Sequence, residues 1–213
     1  SRPELGLPDS GFVFCAINNT YKITPSEFDI WMRLLQNVND SVLWLLESNK
    51  WAKANLLKEA NARGIVSERL VFAQKVSHEK YLAQFQKADL YLDTFNYNAG
   101  ATASNALWAG LPILTKAGKS YASRMAGSLL ASMGLPELVT TIETDYERLA
   151  LKLATNPELL SEIRQKLDAN RLSAPLFDTE SFTKHLEEGY QKAYQRYFDR
   201  KEPQTIYVQN KLP

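Results

Sequence analysis

The feature that most constrains the fold is an alternation between short apolar runs and longer amphipathic segments. The apolar runs have the length and composition of buried strands. They lie at residues 12–17, 42–46, 70–72, 90–92 and 113–114. Strands separated by helices of roughly 10–15 residues form βαβ units, whose right-handed crossovers place helices on both faces of a parallel sheet. The sequence therefore predicts an α/β fold with a Rossmann-like, doubly wound parallel sheet.

Capping residues and helical spacing mark the helices. Thr24 is expected to cap a helix that begins at Pro25, with Glu27 as its capping-box partner. Further helices are predicted at residues 51–63, 78–88, 102–109, 123–133, 144–155, 157–170 and 179–199. The chain is thus mainly helical after the sheet, which predicts a helical C-terminal extension. We interpret the aromatic stripe of the last helix as packing rather than as a ligand site; it comprises Phe182, Tyr190, Tyr194, Tyr197 and Phe198.

Length and composition favour one domain with short appendages. The 213 residues are 45% hydrophobic and 23% charged, which are ordinary values for a globular protein. We expect residues 1–10 to be a linker, because they contain two prolines and a glycine without a periodic pattern. The missing initiator methionine suggests a chain cut from a longer protein. Residues 11–200 are expected to form the ligand-binding domain, and residues 201–213 a polar tail.

Charge and cysteine content exclude several classes of function. A net charge of +1 gives no electrostatic attraction for nucleic acid. The single cysteine, Cys15, excludes an internal disulfide and a cysteine-based zinc cluster. With only His78 and His185, a multi-histidine metal site is excluded as well. Neither a membrane-spanning run nor an export signal is recognisable. We therefore expect a cytoplasmic protein with no nucleic acid partner, no membrane segment and no metal.

The loops that follow the strands are the candidate ligand sites, because ligands bind beyond the carboxyl ends of parallel strands. Lys22 follows the first strand close to a helix N-terminus, and together they would suit a diphosphate. A solvated surface lysine is the alternative. After the fourth strand, Gly100 and Ala101 let the backbone approach a ligand, while Thr102 caps the next helix. Asn105, one turn on, could reach a ribose hydroxyl. A plain glycine-rich loop with a threonine cap is the alternative here.

The loop after the third strand carries His78 at a helix start and Tyr81 one turn later. The ring of Tyr81 offers a flat face on which a base can stack. His185, in the last helix, is expected to be structural. The chain contains neither the glycine pattern of dinucleotide-binding sheets nor a P-loop, which disfavours both of those functions.

Seven ordered segments resemble the C-terminal half of the O-GlcNAc transferases, the TPR-bearing protein glycosyltransferases and their bacterial relatives. They are YKITPS (21–26), SVLWLL (41–46), LYLDT (90–94), NAGAT (98–102), LWAGLP (107–112), ASRMAGS (122–128) and SAPLFD (173–178). The resemblance runs from about residue 11 to residue 200, nearly the whole chain. It implies that the chain is the C-terminal half of a GT-B fold, in which two Rossmann-like domains face each other across a cleft.

The same resemblance implies an inverting transfer of GlcNAc from UDP-GlcNAc to Ser or Thr hydroxyls of proteins. No metal or other cofactor is required in that family, and some bacterial relatives use UDP-glucose. The expected partners are a UDP-sugar, a protein acceptor, and N-terminal catalytic and TPR domains in the same polypeptide. Because the family's histidines near the acceptor belong to that missing half, we expect the isolated chain to be inactive.

The resemblance also implies roles for individual residues. Lys22 matches the family's essential lysine on the diphosphate, which stabilises charge on the departing UDP. Asn19 falls where the family often has a glutamine near the phosphates. The positions that match the uridine pocket are Leu46, Val76, His78, Tyr81 and Gln84. The last three depart from the lysine, histidine and arginine of the animal enzymes, although Tyr81 retains a stacking surface.

Two departures affect the expected affinity for UDP. The animal enzymes have a His-Thr-Thr run where this chain has Gly100-Ala101-Thr102, and an aspartate where it has Asn105. A carboxylate accepts from both ribose hydroxyls, whereas an amide offers one acceptor and a donor. We expect UDP binding to be weaker by roughly 1–3 kcal/mol. A non-catalytic or degenerate nucleotide-sugar-binding module therefore remains an alternative, as does a related transferase that uses UDP-glucose or acts on glycans.

Overall fold

Within residues 1–208, the part of the chain that the computed structural model describes, six parallel strands form one sheet. The strands are β1 (Val13–Ala16), β2 (Val42–Leu46), β3 (Leu70–Ala73), β4 (Leu90–Leu92), β5 (Ile113–Lys116) and β6 (Val139–Thr140). Their order across the sheet is β3-β2-β1-β4-β5-β6. This is the order of a doubly wound Rossmann sheet, in which the direction of winding reverses between β1 and β4. The predicted fold class is confirmed.

Helices alternate with the strands and then continue beyond them. They are α1 (Pro25–Asn37), α2 (Lys50–Ala62), α3 (His78–Phe85), α4 (Ala101–Trp108), α5 (Met125–Ser132), α6 (Glu143–Thr155), α7 (Pro157–Asn170) and α8 (Thr179–Phe198). α1 packs against α6, whereas α4 contacts both α3 and α5. Right-handed crossovers in this strand order place the two groups on opposite faces of the sheet.

The capping box predicted for α1 is present. The backbone N–H of Thr24 donates to Glu27 Oε1 at 2.9 Å, and the Thr24 hydroxyl donates to the other carboxylate oxygen. Behind the cap, the helix buries Phe28 and Trp31 against the sheet. The capping box fixes the start of α1, and its buried face fixes the helix against the sheet. The loop between β1 and α1 is therefore held in place.

The strands are apolar along nearly their whole length, as expected for a parallel sheet covered on both faces. The largest fully buried side chains are Trp31, Trp44, Tyr91 and Tyr146. Burying one large aliphatic side chain stabilises a fold by about 1.5–3 kcal/mol, so this core forms a rigid base for the loops at its edge.

β6 was not predicted from the sequence. It has two residues, and it follows directly on a short 3₁₀ turn at Pro136–Leu138. A strand of that length has no measurable alternation, so only its pairing identifies it. Thr115 lies opposite Val139, which places β6 at the edge of the sheet beside β5.

The first ten residues, expected to be a linker, lie against the domain. Leu7 is buried, and Arg2 donates to the carbonyl of Lys87 at 3.0 Å and pairs with Asp89 at 2.8 Å. Of the predicted tail, residues 209–213 lie outside the described residues. The carbonyl of Tyr207 accepts a hydrogen bond from Lys192 of α8. The domain boundaries at residues 10 and 200 remain a prediction.

The interpretation of the α8 stripe as packing is wrong for the described residues. α8 has no buried residue among them, and the side chains of Tyr190, Tyr194 and Tyr197 are 65–78% exposed. The helix contacts the rest of the fold mainly through the 3₁₀ turn at Pro175–Phe177. Helical spacing predicts which residues share a face, but it does not show whether another element covers that face. No helix within residues 1–208 combines the length and apolar character needed to cross a membrane.

Candidate functional site

A cavity of about 300 Å³ opens where the carboxyl edge of the sheet meets the reversal point between β1 and β4. Its lining comes from the ends of β1, β2 and β3, and from α3 and α4. The lining residues are Ile17, Asn18, Asn19, Leu46, Gln74, Lys75, Val76, Tyr81, Gln84 and Thr102. Ligands of doubly wound sheets bind at this point, and the cavity has the volume of a small ligand pocket.

Six of the eleven residues predicted for the site line this cavity: Asn19, Leu46, Val76, Tyr81, Gln84 and Thr102. Four lining residues were not predicted, namely Ile17, Asn18, Gln74 and Lys75. Each of these four is adjacent in sequence to a predicted residue or to another of the four. Their position directly after β1 and β3 was the signal that could have identified them.

Asn18 is the most informative of the four. Its side chain is 6% exposed, and its Oδ1 accepts the backbone N–H of Asn19 at 3.0 Å. Its Nδ2 has no hydrogen-bond partner among the described residues. Leaving a buried amide donor unpaired costs about 1–3 kcal/mol, so an acceptor on a ligand would relieve a penalty that the fold already carries.

Lys22 does not line this cavity; it ends a 3₁₀ turn at Thr20–Lys22, three residues after the lining residue Asn19. Its side chain is 9% exposed, and Nζ donates to the carbonyl of Asn98 at 3.2 Å. Nζ also lies 4.0 Å from the centroid of the Tyr97 ring, in a cation–π contact. Burial lowers the pKa of Lys22, and the charge of Asp93 opposes that shift. A buried ammonium with three donors is suited to an anionic ligand.

The start of α4 differs from the prediction. Gly100, not Thr102, occupies the N-cap position, and no side chain among the described residues caps this helix. Thr102 lies within the first turn and lines the cavity. The helix therefore begins at Ala101, one residue before the predicted start. The first amides of α4 therefore have no side-chain acceptor at the cap.

Tyr81 and His78, both on α3, have different surroundings. The ring of Tyr81 packs edge-on against Phe85 at 4.7 Å, and burial raises its pKa to about 12. Tyr81 is therefore a neutral phenol that lines the cavity. His78 is exposed, 6.4 Å from Tyr81 between ring centroids, and is outside the lining.

The remaining predicted residues lie on α4 or at its cap. Gly100 and Ala101 directly precede the lining residue Thr102. Asn105 is half-buried, one turn into the helix, and does not line the cavity. Within residues 1–208, no group of histidine, cysteine and acidic side chains is arranged to hold a metal ion.

A second cavity, of about 390 Å³, lies at the start of α8 and away from the carboxyl edge of the sheet. Its lining comprises Ser132, Ser173, Pro175, Asp178, Ser181, Phe182, His185 and Val208. Asp178 is already used as a helix cap, since it accepts the backbone N–H of Ser181 at 2.9 Å. The 300 Å³ cavity is therefore the candidate site, because its lining includes the unpaired amide of Asn18 and the first turn of α4, and the buried cation Lys22 lies three residues after the lining residue Asn19.

Comparison with known proteins agrees with this geometry. The model of the family described as glycosyl transferase family 41 matches residues 1–186. A UDP-N-acetylglucosamine–peptide N-acetylglucosaminyltransferase of Caenorhabditis elegans is 36% identical over 197 residues, covering 92% of this chain and 17% of the relative. The probable enzyme SEC of Arabidopsis thaliana, with the same activity in its name, is 33% identical over 209 residues, covering 97% and 21%.

Among solved structures, a lysine-to-methionine mutant of the Thermobaculum terrenum O-GlcNAc transferase superposes with a TM-score of 0.82 at 29% identity. The match covers 92% of this chain and 39% of that one. The chain thus spans about a fifth of the length of these curated relatives. It belongs to glycosyl transferase family 41.

Proposed function

We propose that this chain is the donor-binding half of an inverting, metal-independent glycosyltransferase that transfers GlcNAc from UDP-GlcNAc to Ser or Thr hydroxyls of proteins. The observation that carries the proposal is the buried ammonium of Lys22, which donates to the carbonyl of Asn98 two residues before the cap of α4, whose first turn supplies Thr102 to the cavity. The relatives named above carry UDP-N-acetylglucosamine and peptide transfer in their names, which supports the same donor and acceptor here.

The diphosphate of the donor is assigned to Lys22 and to the first amides of α4, near Gly100 and Ala101. A lysine and a helix N-terminus together provide positive charge for two phosphates, so a metal ion is not required. As the bond between the anomeric carbon and the UDP oxygen breaks, negative charge develops on the diphosphate. Preorganised donors at that point lower the barrier by on the order of several kcal/mol.

The uridine is assigned to the cavity itself. Leu46, Val76 and Tyr81 supply its apolar wall, and the ring of Tyr81 supplies a stacking face. Asn18, Asn19 and Gln84 supply amides that hydrogen-bond the polar edge of the ligand. Asn105 is assigned to the ribose and His78 to the rim of the site.

The acceptor hydroxyl attacks the anomeric carbon on the face opposite UDP, so the configuration inverts. The roles of this chain are to hold the donor and to stabilise the leaving group through Lys22. We assign the acceptor site and proton removal to N-terminal catalytic and TPR domains of the same polypeptide. The isolated chain is therefore expected to bind donor without transferring sugar. A cytoplasmic location also remains a prediction.

Calorimetric titration with UDP, UDP-GlcNAc and UDP-glucose tests this assignment. Saturable binding is expected, and the tighter of the two sugar nucleotides identifies the donor. Lys22→Ala should weaken binding, whereas Lys58→Ala, which removes an exposed lysine of α2, should leave it unchanged. No heat from any of the three ligands at millimolar concentration would contradict the donor-binding function.

A non-catalytic nucleotide-sugar-binding module is the second candidate. Ala101 and Asn105 favour it, because they replace groups that contact the donor in the animal enzymes. This candidate predicts UDP binding without transfer even when the upstream domains are present. A transfer assay on the longer polypeptide, with UDP-GlcNAc and a Ser- and Thr-containing peptide, separates the two functions.

A further inference from the structure

An aspartate that does not line the cavity holds a loop at the carboxyl edge of the sheet through hydrogen bonds. Asp93 is the first residue after β4, and its side chain is fully buried. Its Oδ1 accepts the backbone N–H groups of Thr94 at 2.9 Å and Ala99 at 2.7 Å. Its Oδ2 accepts the hydroxyl of Thr115 on β5 at 2.7 Å. One carboxylate therefore closes the loop of residues 94–99 onto the sheet.

That loop carries the atoms that hold Lys22. The carbonyl of Asn98 accepts the Lys22 ammonium at 3.2 Å, and the Asn98 side chain donates to the carbonyl of Thr94 at 2.6 Å. The same loop ends at Gly100, the cap of α4. Because Asp93 fixes both ends of residues 94–99, it sets the position of the lysine's acceptor and of the helix start together.

The charge of Asp93 also acts on Lys22. Each of the two groups opposes the shift that burial imposes on the other, since a nearby opposite charge favours the ionised form. Tyr91 and Tyr146 are the other titratable groups that interact with Asp93, and burial raises the pKa of both phenols far above the ordinary value. Both are therefore neutral, and Lys22 is the charged group in this set.

We propose that Asp93 is a positioning residue for Lys22: its carboxylate holds the loop of residues 94–99, and with it the Asn98 carbonyl that accepts the Lys22 ammonium, in the form that binds the ligand. The ligand-binding part of this inference rests on the proposed UDP-sugar site. The action of Asp93 on Lys22 is a property of the chain alone.

The effect of Asp93 on folding stability distinguishes a positioning residue from a purely structural one. Burial raises the pKa of Asp93 to about 7, above its value in an unfolded chain. A group whose pKa is raised on folding contributes stability at low pH, and that contribution is lost as the pH rises towards the folded pKa of about 7. At and above neutral pH, the ionised carboxylate therefore disfavours folding. Replacing it with an isosteric amide should leave the melting temperature unchanged or raise it.

The first test measures the pKa of Lys22 directly, by NMR of the chain with labelled lysine side chains. Lys22→Met identifies the Lys22 signal. Asp93→Asn is expected to lower the pKa of Lys22, because it removes the opposing charge. The matched control is Asp89→Asn, the same change at the other end of β4, and it should leave that pKa unchanged. An unchanged Lys22 pKa in Asp93→Asn overturns the inference, whether or not the chain binds UDP.

The second test combines UDP titration with thermal unfolding at a mildly alkaline pH. Asp93→Asn is expected to raise the Kd for UDP about tenfold without lowering the melting temperature. Asp89→Asn should lower the melting temperature without changing the Kd. Wild-type affinity in Asp93→Asn, or loss of its fold, overturns the inference. If the wild-type chain does not bind UDP, the proposed function fails, and the Lys22 pKa still decides the role of Asp93.

Discussion

Strand β4 carries an aspartate at each end, and the two have opposite surroundings. Asp89, at the amino end, pairs with Arg2 at 2.8 Å and with Arg164 at 3.0 Å, and it accepts the backbone N–H of Val13 at 2.8 Å. Asp93, at the carboxyl end, accepts only backbone amides and a hydroxyl among the bonds of the described residues. The amino edge pairs the half-buried carboxylate of Asp89 with two cations, whereas the carboxyl edge surrounds the buried carboxylate of Asp93 with neutral donors.

The difference separates stability from function. At the amino edge, the paired charges join residues distant in sequence, so they contribute to the fold. At the carboxyl edge, Asp93, Lys22 and the amide of Asn18 are buried without full compensation. Unsatisfied buried groups persist where a ligand completes them, and they weaken the fold when it is empty. This difference supports the proposed placement of the donor at the carboxyl edge.

The largest expected effect is the loss of ligand binding in Lys22→Met. Methionine keeps much of the side-chain volume but removes the charge, so UDP-GlcNAc affinity should fall by about 100-fold, corresponding to about 3 kcal/mol. The melting temperature should not fall, because a buried cation is removed. Calorimetry and thermal unfolding measure the two effects. Wild-type affinity in this variant would mean that Lys22 does not contact the ligand.

At the opposite edge, Asp89→Ala is expected to lower the free energy of unfolding by about 2 kcal/mol, since it leaves two arginines and an amide without their acceptor. The partial exposure of Arg164 keeps this figure below that of a fully buried pair. Chemical denaturation gives the value. UDP affinity should not change. A large loss of affinity would contradict the assignment of stability to the amino edge and of ligand binding to the carboxyl edge.

Asn18→Ala tests whether the unpaired amide faces the ligand. We expect the Kd for UDP to rise about fivefold to tenfold, equivalent to one hydrogen bond of about 1 kcal/mol. The substitution removes the unpaired Nδ2, which favours the folded state, and the Oδ1 acceptor of the Asn19 N–H, which disfavours it, so stability should change little. Titration of Asn18→Ala beside Asn61→Ala, an exposed asparagine of α2, provides the comparison. Equal affinity in both variants would mean that Asn18 does not contact the nucleotide.

The smallest expected effect is a gain. Asn105→Asp restores the carboxylate that the animal enzymes have at this position, and it should lower the Kd for UDP about threefold through the ribose hydroxyls. Competition between UDP and 2′-deoxy-UDP measures whether the gain comes from the ribose. No gain would mean that the nucleotide stops short of the second turn of α4, in keeping with the absence of Asn105 from the cavity lining.

Local patterns in the sequence were sufficient for most of the fold. The strands from β1 to β4 are continuous apolar runs, and β5 begins with one. The cap of α1 depends on two residues three positions apart, Thr24 and Glu27. Each of these signals involves residues that are close together in the sequence. β6 was missed because a two-residue strand is defined by its partner, Thr115 on β5, and not by its own sequence.

The candidate site was predicted in part. Lys22, Tyr81 and Thr102 were predicted because they follow predicted strands. The same reasoning did not show that Asn18 is buried with an unpaired donor. The cap of α4 was assigned to Thr102 because threonine is a common cap, whereas the backbone of Gly100 determines where the helix begins. Burial and loop closure depend on residues distant in sequence, and they become visible only when the sheet is assembled.

The account is tested most directly by following backbone amide NMR signals during titration of the wild-type chain with UDP-GlcNAc. It predicts saturable shifts at the carboxyl edge, in residues 17–22, 74–84 and 98–105, with the amides of Arg2, Asp89 and Arg164 unchanged. Shifts confined to the amino edge or to the cavity at the start of α8, or no shifts at millimolar ligand, would contradict it.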